Sequence, residues 1–134
     1  MTIDELHSMW EAKNARTGKP HADHEHHLQV ACVRWFRMQY PQYLIYAIPN
    51  GGQRNAVVAA KLKAEGVTAG IPDLHIPVSR HGYHSLYIEM KNGKAGRLSE
   101  HQKDCISRLQ ASGHKVAVCR TFEEFQQETE EYLK

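Results

Sequence analysis

The sequence predicts an α/β fold, a central mixed β-sheet flanked by helices, on three observations. Helix-type and strand-type hydrophobic periodicities alternate along its 134 residues. Capping signatures at Thr2-Ile3-Asp4-Glu5, Ser99-Glu100-His101-Gln102 and Thr121-Phe122-Glu123-Glu124 mark helix starts. Two apolar runs, Leu74-His75-Ile76-Pro77-Val78 and Tyr83-His84-Ser85-Leu86-Tyr87-Ile88, flank the polar turn Ser79-Arg80-His81-Gly82 and read as an antiparallel hairpin.

The elements follow in order. Leu6, Met9 and Trp10 supply the apolar positions of a short first helix, which Asn14 to Pro20 breaks as a linker. Asp23 caps a longer helix to about Tyr40, with Leu28, Cys32, Trp35 and Phe36 on one face, and Pro41 ends it. Tyr43 to Ile48 reads as a strand, closed by the turn Pro49-Asn50-Gly51-Gly52. Arg54 to Glu65 reads as a helix with Val57, Val58 and Leu62 as its apolar stripe, stopped by Gly66. The hairpin follows, then a helix from Ser99 with Cys105, Ile106 and Leu109 inward and Gly113 as its stop. Lys115 to Arg120 alternates as a strand, and the last helix starts at Thr121. The strand after the hairpin is expected to join by a right-handed crossover through the helix from Ser99. The chain divides into an N-terminal helix and linker, 1–20, and one globular domain, 21–134; there is no internal repeat.

Composition narrows the classes. Hydrophobic residues at 41% and charged residues at 24% are those of an ordinary globular protein, with no apolar stretch of membrane-spanning length and no signal-peptide pattern at the N-terminus. A cytoplasmic protein with no membrane partner is expected. Cys32, Cys105 and Cys119 are far apart in sequence, which points to buried thiols in a reducing compartment. A net charge of +2 does not by itself diagnose nucleic-acid binding.

Chemistry concentrates at one end of the hairpin. Side chains alternate along a strand, so Glu89 and Lys91 share a face and Met90 takes the other. Closing the hairpin brings Asp73 across from the end of the second strand. Two carboxylates then meet an ammonium; the acids repel unless a cation lies between them, and such oxygen ligands suit Mg²⁺ or Mn²⁺. A neighbouring lysine positions the attacking water or stabilises charge on a phosphate. The arrangement suggests metal-dependent phosphodiester hydrolysis. Each residue also has a plainer role. Asp73 suits a turn after Gly-x-Pro, Glu89 and Lys91 suit a solvated edge strand, and Glu25 suits the first turn of a helix. The joint pattern favours catalysis. His21, His24, His26 and His27 form a competing metal signal, with His24 and His27 one helical turn apart. Lacking a second pair at ligand spacing, they read more simply as surface histidines, and His101 and His114 have no evident partners.

An extended set of residues resembles the virus-type replication-repair nuclease family of the restriction-endonuclease-like superfamily. It comprises Glu25 with Gln29, Pro49-Asn50-Gly51-Gly52-Gln53-Arg54, Lys61 to Val67, Gly70-Ile71-Pro72-Asp73, Ile88-Glu89-Met90-Lys91, Gly96-Arg97-Leu98-Ser99 and Gln102. It spans about His24 to Phe125. The resemblance implies that Asp73, Glu89 and the Met90 backbone carbonyl bind the metal. It further implies that Glu25 reaches the metal directly or through water, that Lys91 positions the nucleophile, and that Gln102 supports the ligands. Helix-start amides near Asn50, Gly51 and Gly52, with Arg54, make an expected phosphate grip; Lys94 and Arg97 are expected to contact DNA backbone. Short members of the family resemble dimeric Holliday-junction resolvases. The resemblance therefore implies a homodimer cutting branched DNA with Mg²⁺ or Mn²⁺ and no organic cofactor, in a bacterial or phage-infected cell. The alternatives are a flap or single-strand nuclease, a nickase without junction preference, a non-catalytic DNA-binding module, or a zinc-stabilised interaction domain.

Overall fold

The computed structural model describes residues 2–6, 22–49, 55–93 and 96–134. Thr2 and Glu5 close the expected capping box, Thr2 N–H donating to Glu5 Oε2 at 2.9 Å and Glu5 N–H to Thr2 Oγ1 at 3.1 Å. Met9, Trp10 and the 14–20 linker lie outside the described residues, as do Asn50, Gly51, Gly52, Arg54, Lys94 and His21. The first long helix, α1, runs Ala22–Gln39; strand β1 is Tyr46–Ala47; helix α2 is Ala56–Ala64; strands β2 and β3 are Leu74–Ile76 and Leu86–Met90. Helix α3 (Glu100–Ala111), strand β4 (Lys115–Cys119) and helix α4 (Phe122–Leu133) complete the order.

The sheet is mixed, in the order β1-β2-β3-β4. β1 and β2 pair antiparallel, as do β2 and β3, with Leu74 opposite Ile88 and Ile76 opposite Leu86. β4 runs parallel to β3, from Leu86 opposite Lys115 to Met90 opposite Cys119, and α3 makes the crossover that a parallel pair requires. Leu74, Ile76, Leu86, Ile88 and Met90 turn one face of the sheet into the core. There they join Leu28, Cys32, Trp35 and Phe36 of α1 and Phe125 and Tyr132 of α4. The Trp35 indole stands edge-on to Phe122 and Phe125 at 5.9 and 6.1 Å, locking α1 to α4. All three cysteines are free and buried; desolvation raises the Cys32 and Cys119 thiols, the latter to about 12, so both are inert.

Three sequence expectations need correcting. Strand β1 covers only two of the residues between Tyr43 and Ile48, because Tyr43 N–H turns back to the Tyr40 carbonyl and, among the described residues, this edge strand pairs with β2 alone. The hairpin ladder stops at Ile76, ahead of Pro77, which has no N–H to give. It resumes at the Arg80–Tyr83 bridge over His81 and Gly82, both with positive φ, one extra residue on the first strand forming a bulge. The apolar stripe on α2 is not inward: Val57 is 78% exposed, Val58 41%, and no residue of the helix is buried. Asn55 caps that helix by accepting from Val58 N–H at 2.8 Å.

Candidate active site

Asp73 stands one residue before β2 and Glu89 one residue before the end of β3. Extending the observed register by one residue sets them opposite each other across the two strands. Asp73 is fixed by the backbone: Met90 N–H donates to its Oδ2 at 2.8 Å. Lys91 N–H is held by the Cys119 carbonyl. Residues 89 and 91 therefore turn their backbone polar groups toward β4, and Met90 turns its own, carbonyl included, toward β2 and Asp73. Gly70-Ile71-Pro72 delivers Asp73 along the start of α3. A Cβ on Gly70 would lie 2.5 Å from the His101 carbonyl oxygen, and its φ is +93°, so only glycine fits that approach.

Glu89 is 1% exposed. Its Oε1 accepts from Gln102 Nε2 at 3.1 Å. Gln102 is itself locked by the Ser99 capping box, in which its own N–H donates to Ser99 Oγ and Ser99 N–H donates to Gln102 Oε1 at 2.9 Å. One glutamine thus caps α3 and steadies the buried acid. Glu89 Oε2 is buried and, among the described residues, meets no hydrogen-bond donor. An unmatched carboxylate oxygen in such a place calls for a proton or a cation. Burial pushes the Glu89 carboxyl up to about 9, reinforced by the charge of Asp73 and by a hydrogen bond to it that exists only when a proton is present; Glu25 adds to this and Lys91 opposes it. Glu25, half-buried near the start of α1, is raised by burial and then by Asp73, and lowered by Lys91. The ammonium of Lys91 thus acts on both glutamates.

Glu25, Asp73, Glu89 and Gln102 line one cleft of about 320 Å³ together with Ala69, Gly70, Ser99 and His101. The structure thus gathers four of the predicted catalytic side chains around one space, with the Lys91 charge felt beside it. Among the described residues, no three His, Cys, Asp or Glu side chains form a ready-made ligand set. Glu25 therefore shares the cleft with Asp73 and Glu89 without completing a preformed ligand set with them. The same finding covers His24, His26 and His27, of which His27 is buried, His24 half-buried and His26 exposed. Of the expected DNA contacts, Arg97 is described, and it is exposed on the approach to α3.

Sequence reasoning missed Arg120. Its guanidinium Nη1 donates to the carbonyls of Gly93 and Gly96 at 2.6 and 2.5 Å, pinning both ends of the loop that follows Lys91. A Cβ placed on Gly96 would approach Lys91 Cβ at 3.4 Å, so that loop folds back onto the lysine. In sequence Arg120 only ends an alternating strand, and no local signal marks it. His114, which has no evident partner in the sequence, places its Nδ1 2.7 Å from Ser85 Oγ.

The VRR-NUC domain family matches residues 23–123, most of the chain. The fold is similar to that of a solved VRR_NUC domain protein, with a TM-score of 0.68 and 27% identity, covering 81% of this chain and 87% of that one. A comparison with curated proteins finds no match. Family match and fold agree, and the chain belongs to the VRR-NUC domain family, a family of nuclease domains.

Proposed function

We propose that this protein is a divalent-metal-dependent endodeoxyribonuclease that cuts branched DNA as a homodimer, in the manner of a Holliday-junction resolvase. The observation that carries the metal dependence is the buried Glu89 Oε2, which meets no donor among the described residues and lies beside a second acid. An all-oxygen site of this charge fits Mg²⁺ or Mn²⁺. Asp73, Glu89 and the Met90 carbonyl would hold the ion, with Glu25 acting through water. When bound, the cation offsets the charge of the acids and of the phosphate.

The protein's own groups do the rest. Met90 N–H and Gln102 fix the orientation of Asp73 and Glu89, so that each keeps one oxygen for the cleft. Lys91 donates to the attacking water and then balances the negative charge that builds on the phosphate oxygens. Water adds in line at phosphorus and the P–O3′ bond breaks, leaving a 5′-phosphate and a 3′-hydroxyl. Arg97, and Lys94 with the 50–54 turn, would take the flanking backbone phosphates.

Two-fold pairing belongs to the same reading. The exposed Val57 and Val58 of α2 give a second copy an apolar surface to meet. The test is cleavage of labelled four-way junctions, flaps, nicked and linear duplexes in Mg²⁺ and Mn²⁺, alongside sizing in solution. Paired cuts in junctions by a dimer support the proposal. Equal cutting of every DNA would remove the junction preference, and a monomer would remove the resolvase reading.

A further inference from the structure

On the sheet face opposite the core, side chains at alternate positions line up across strands. Asp73 and Glu89 form one facing pair, and the next pair along that face is His75 opposite Tyr87. The offset is one strand repeat of two residues, about 6.7 Å. The His75 and Tyr87 rings are stacked, with centroids 4.2 Å apart and planes 22° apart. On the neighbouring strand Tyr46 pairs with His75 and sets its ring edge-on at 5.3 Å, and His114 meets Tyr87 edge-on at 5.4 Å. Tyr46 is 41% exposed; the other three rings are half-buried.

A chain of hydrogen bonds holds these rings still. Tyr46 Oη lies 2.5 Å from His75 Nδ1, His75 Nε2 lies 2.8 Å from Ser85 Oγ, and that hydroxyl lies 2.7 Å from His114 Nδ1. Cross-strand ring pairs stiffen any sheet. A solvated face needs only threonines and charged residues for that, whereas here four rings are fixed in orientation beside the acid pair.

We propose that Tyr46, His75 and Tyr87 form a stacking platform for an unpaired base of the DNA strand whose neighbouring phosphate lies at Asp73 and Glu89. Every base has a π-face, so such a platform takes single-stranded DNA with little regard to sequence. A duplex keeps its bases stacked inside and cannot use it. The inference rests on the nuclease reading above and narrows its substrate to DNA with an unpaired or splayed nucleotide next to the cut, as at a branch point or flap.

The test compares the full-length protein with Tyr46→Ala and Tyr46→Phe, in Ca²⁺ to hold back cleavage. The probes are a forked DNA carrying 2-aminopurine in its single-stranded arm and a blunt duplex of matched length. Tyr46→Ala should weaken fork binding about tenfold and blunt-duplex binding hardly at all, the loss expected for one stacked base. Tyr46→Phe, which keeps the ring and loses only the hydroxyl, should bind the fork like the parent. The arm's 2-aminopurine fluorescence should be quenched by the parent and less so by Tyr46→Ala. Unchanged fork affinity in Tyr46→Ala, at an unchanged melting temperature, overturns the platform. So does a Tyr46→Ala variant whose defect is a lost dimer, since that face would then join two copies. If the parent cuts branched DNA while Tyr46→Ala is indifferent, only the platform falls; if the parent neither binds nor cuts DNA, both proposals fall.

Discussion

Glu89→Gln should make the cation-free protein more stable while removing its activity. A glutamate has an ordinary value of 4.5 in the unfolded chain and is pushed to about 9 in the fold. At pH 7 folding therefore forces the acid pair to keep a proton that the unfolded chain releases. The interval from 4.5 to pH 7, at about 1.4 kcal/mol per pH unit, makes this cost about 3 kcal/mol. The sign follows from a raised pKa: the stabilising contribution is complete below 4.5 and is lost as pH rises through about 9. Glutamine has no proton to hold and fits the same space, and its amide reaches Asp73 without repulsion. In chelator at pH 7 the variant's melting temperature should exceed the parent's by roughly 10 °C, at about 3–4 °C per kcal/mol for a domain of this size. At pH 5 the gap should nearly close. Added Mg²⁺ should raise the parent and leave Glu89→Gln where it was. Thermal melts followed by circular dichroism across pH 5 to 8.5, with chelator or Mg²⁺, read this directly. A parent whose stability is flat over that range, or a variant no more stable at pH 7, would refute the reasoning.

Further outcomes follow from single contacts. Lys91→Ala should lose cleavage by at least a hundredfold while its affinity for branched DNA in Ca²⁺ changes little, as read by filter binding and gel assays; retained cutting would remove Lys91 from the mechanism. Arg120→Lys, which cannot satisfy the Gly93 and Gly96 carbonyls with the same fork, should lower kcat about tenfold through the loosened Lys91 loop, and added guanidinium should partly restore Arg120→Ala. A variant with full kcat would make the clamp merely decorative. Gly70→Ala drives a Cβ against the His101 carbonyl at positive φ and should cost at least about 2 kcal/mol in urea unfolding. An unchanged midpoint would show that the loop moves freely.

What was legible in the sequence was what local chemistry dictates. Ser99 with Gln102 and Thr121 with Glu124 announce helix starts because the capping bond is made within four residues. The spacing of Leu28, Cys32, Trp35 and Phe36 announces a buried face because the helix repeat is fixed. That Asp73 reaches the end of the second strand follows from a hairpin whose turn holds Gly82, but setting it against Glu89 rather than Met90 takes the extra residue of the bulge. Gln102 serves both the cap and Glu89, so its structural signal located it for a second reason.

What was hidden depends on distant partners. An alanine- and valine-rich helix looks inward by composition, yet nothing in Val57 or Val58 tells whether another element will cover them. Arg120 lies 24 and 27 residues from the carbonyls it binds, and only the parallel β3–β4 pairing brings them together. The Tyr46–His75–Ser85–His114 chain crosses from strand to strand in the same way. Each of its residues taken alone resembles an ordinary strand or loop residue. Pro77 did shorten its strand for a local reason, and the bulge beyond it followed.

The central claim is that the buried acid pair exchanges a proton for a divalent cation. Calorimetric titration of the chelator-stripped protein with Mn²⁺ near neutral pH, repeated in buffers of different ionisation enthalpy, measures both sides of that exchange at once. The account expects saturable binding that releases about one proton per ion, with both signals gone in Glu89→Gln. Binding that releases no proton, or that survives intact in Glu89→Gln, would contradict it.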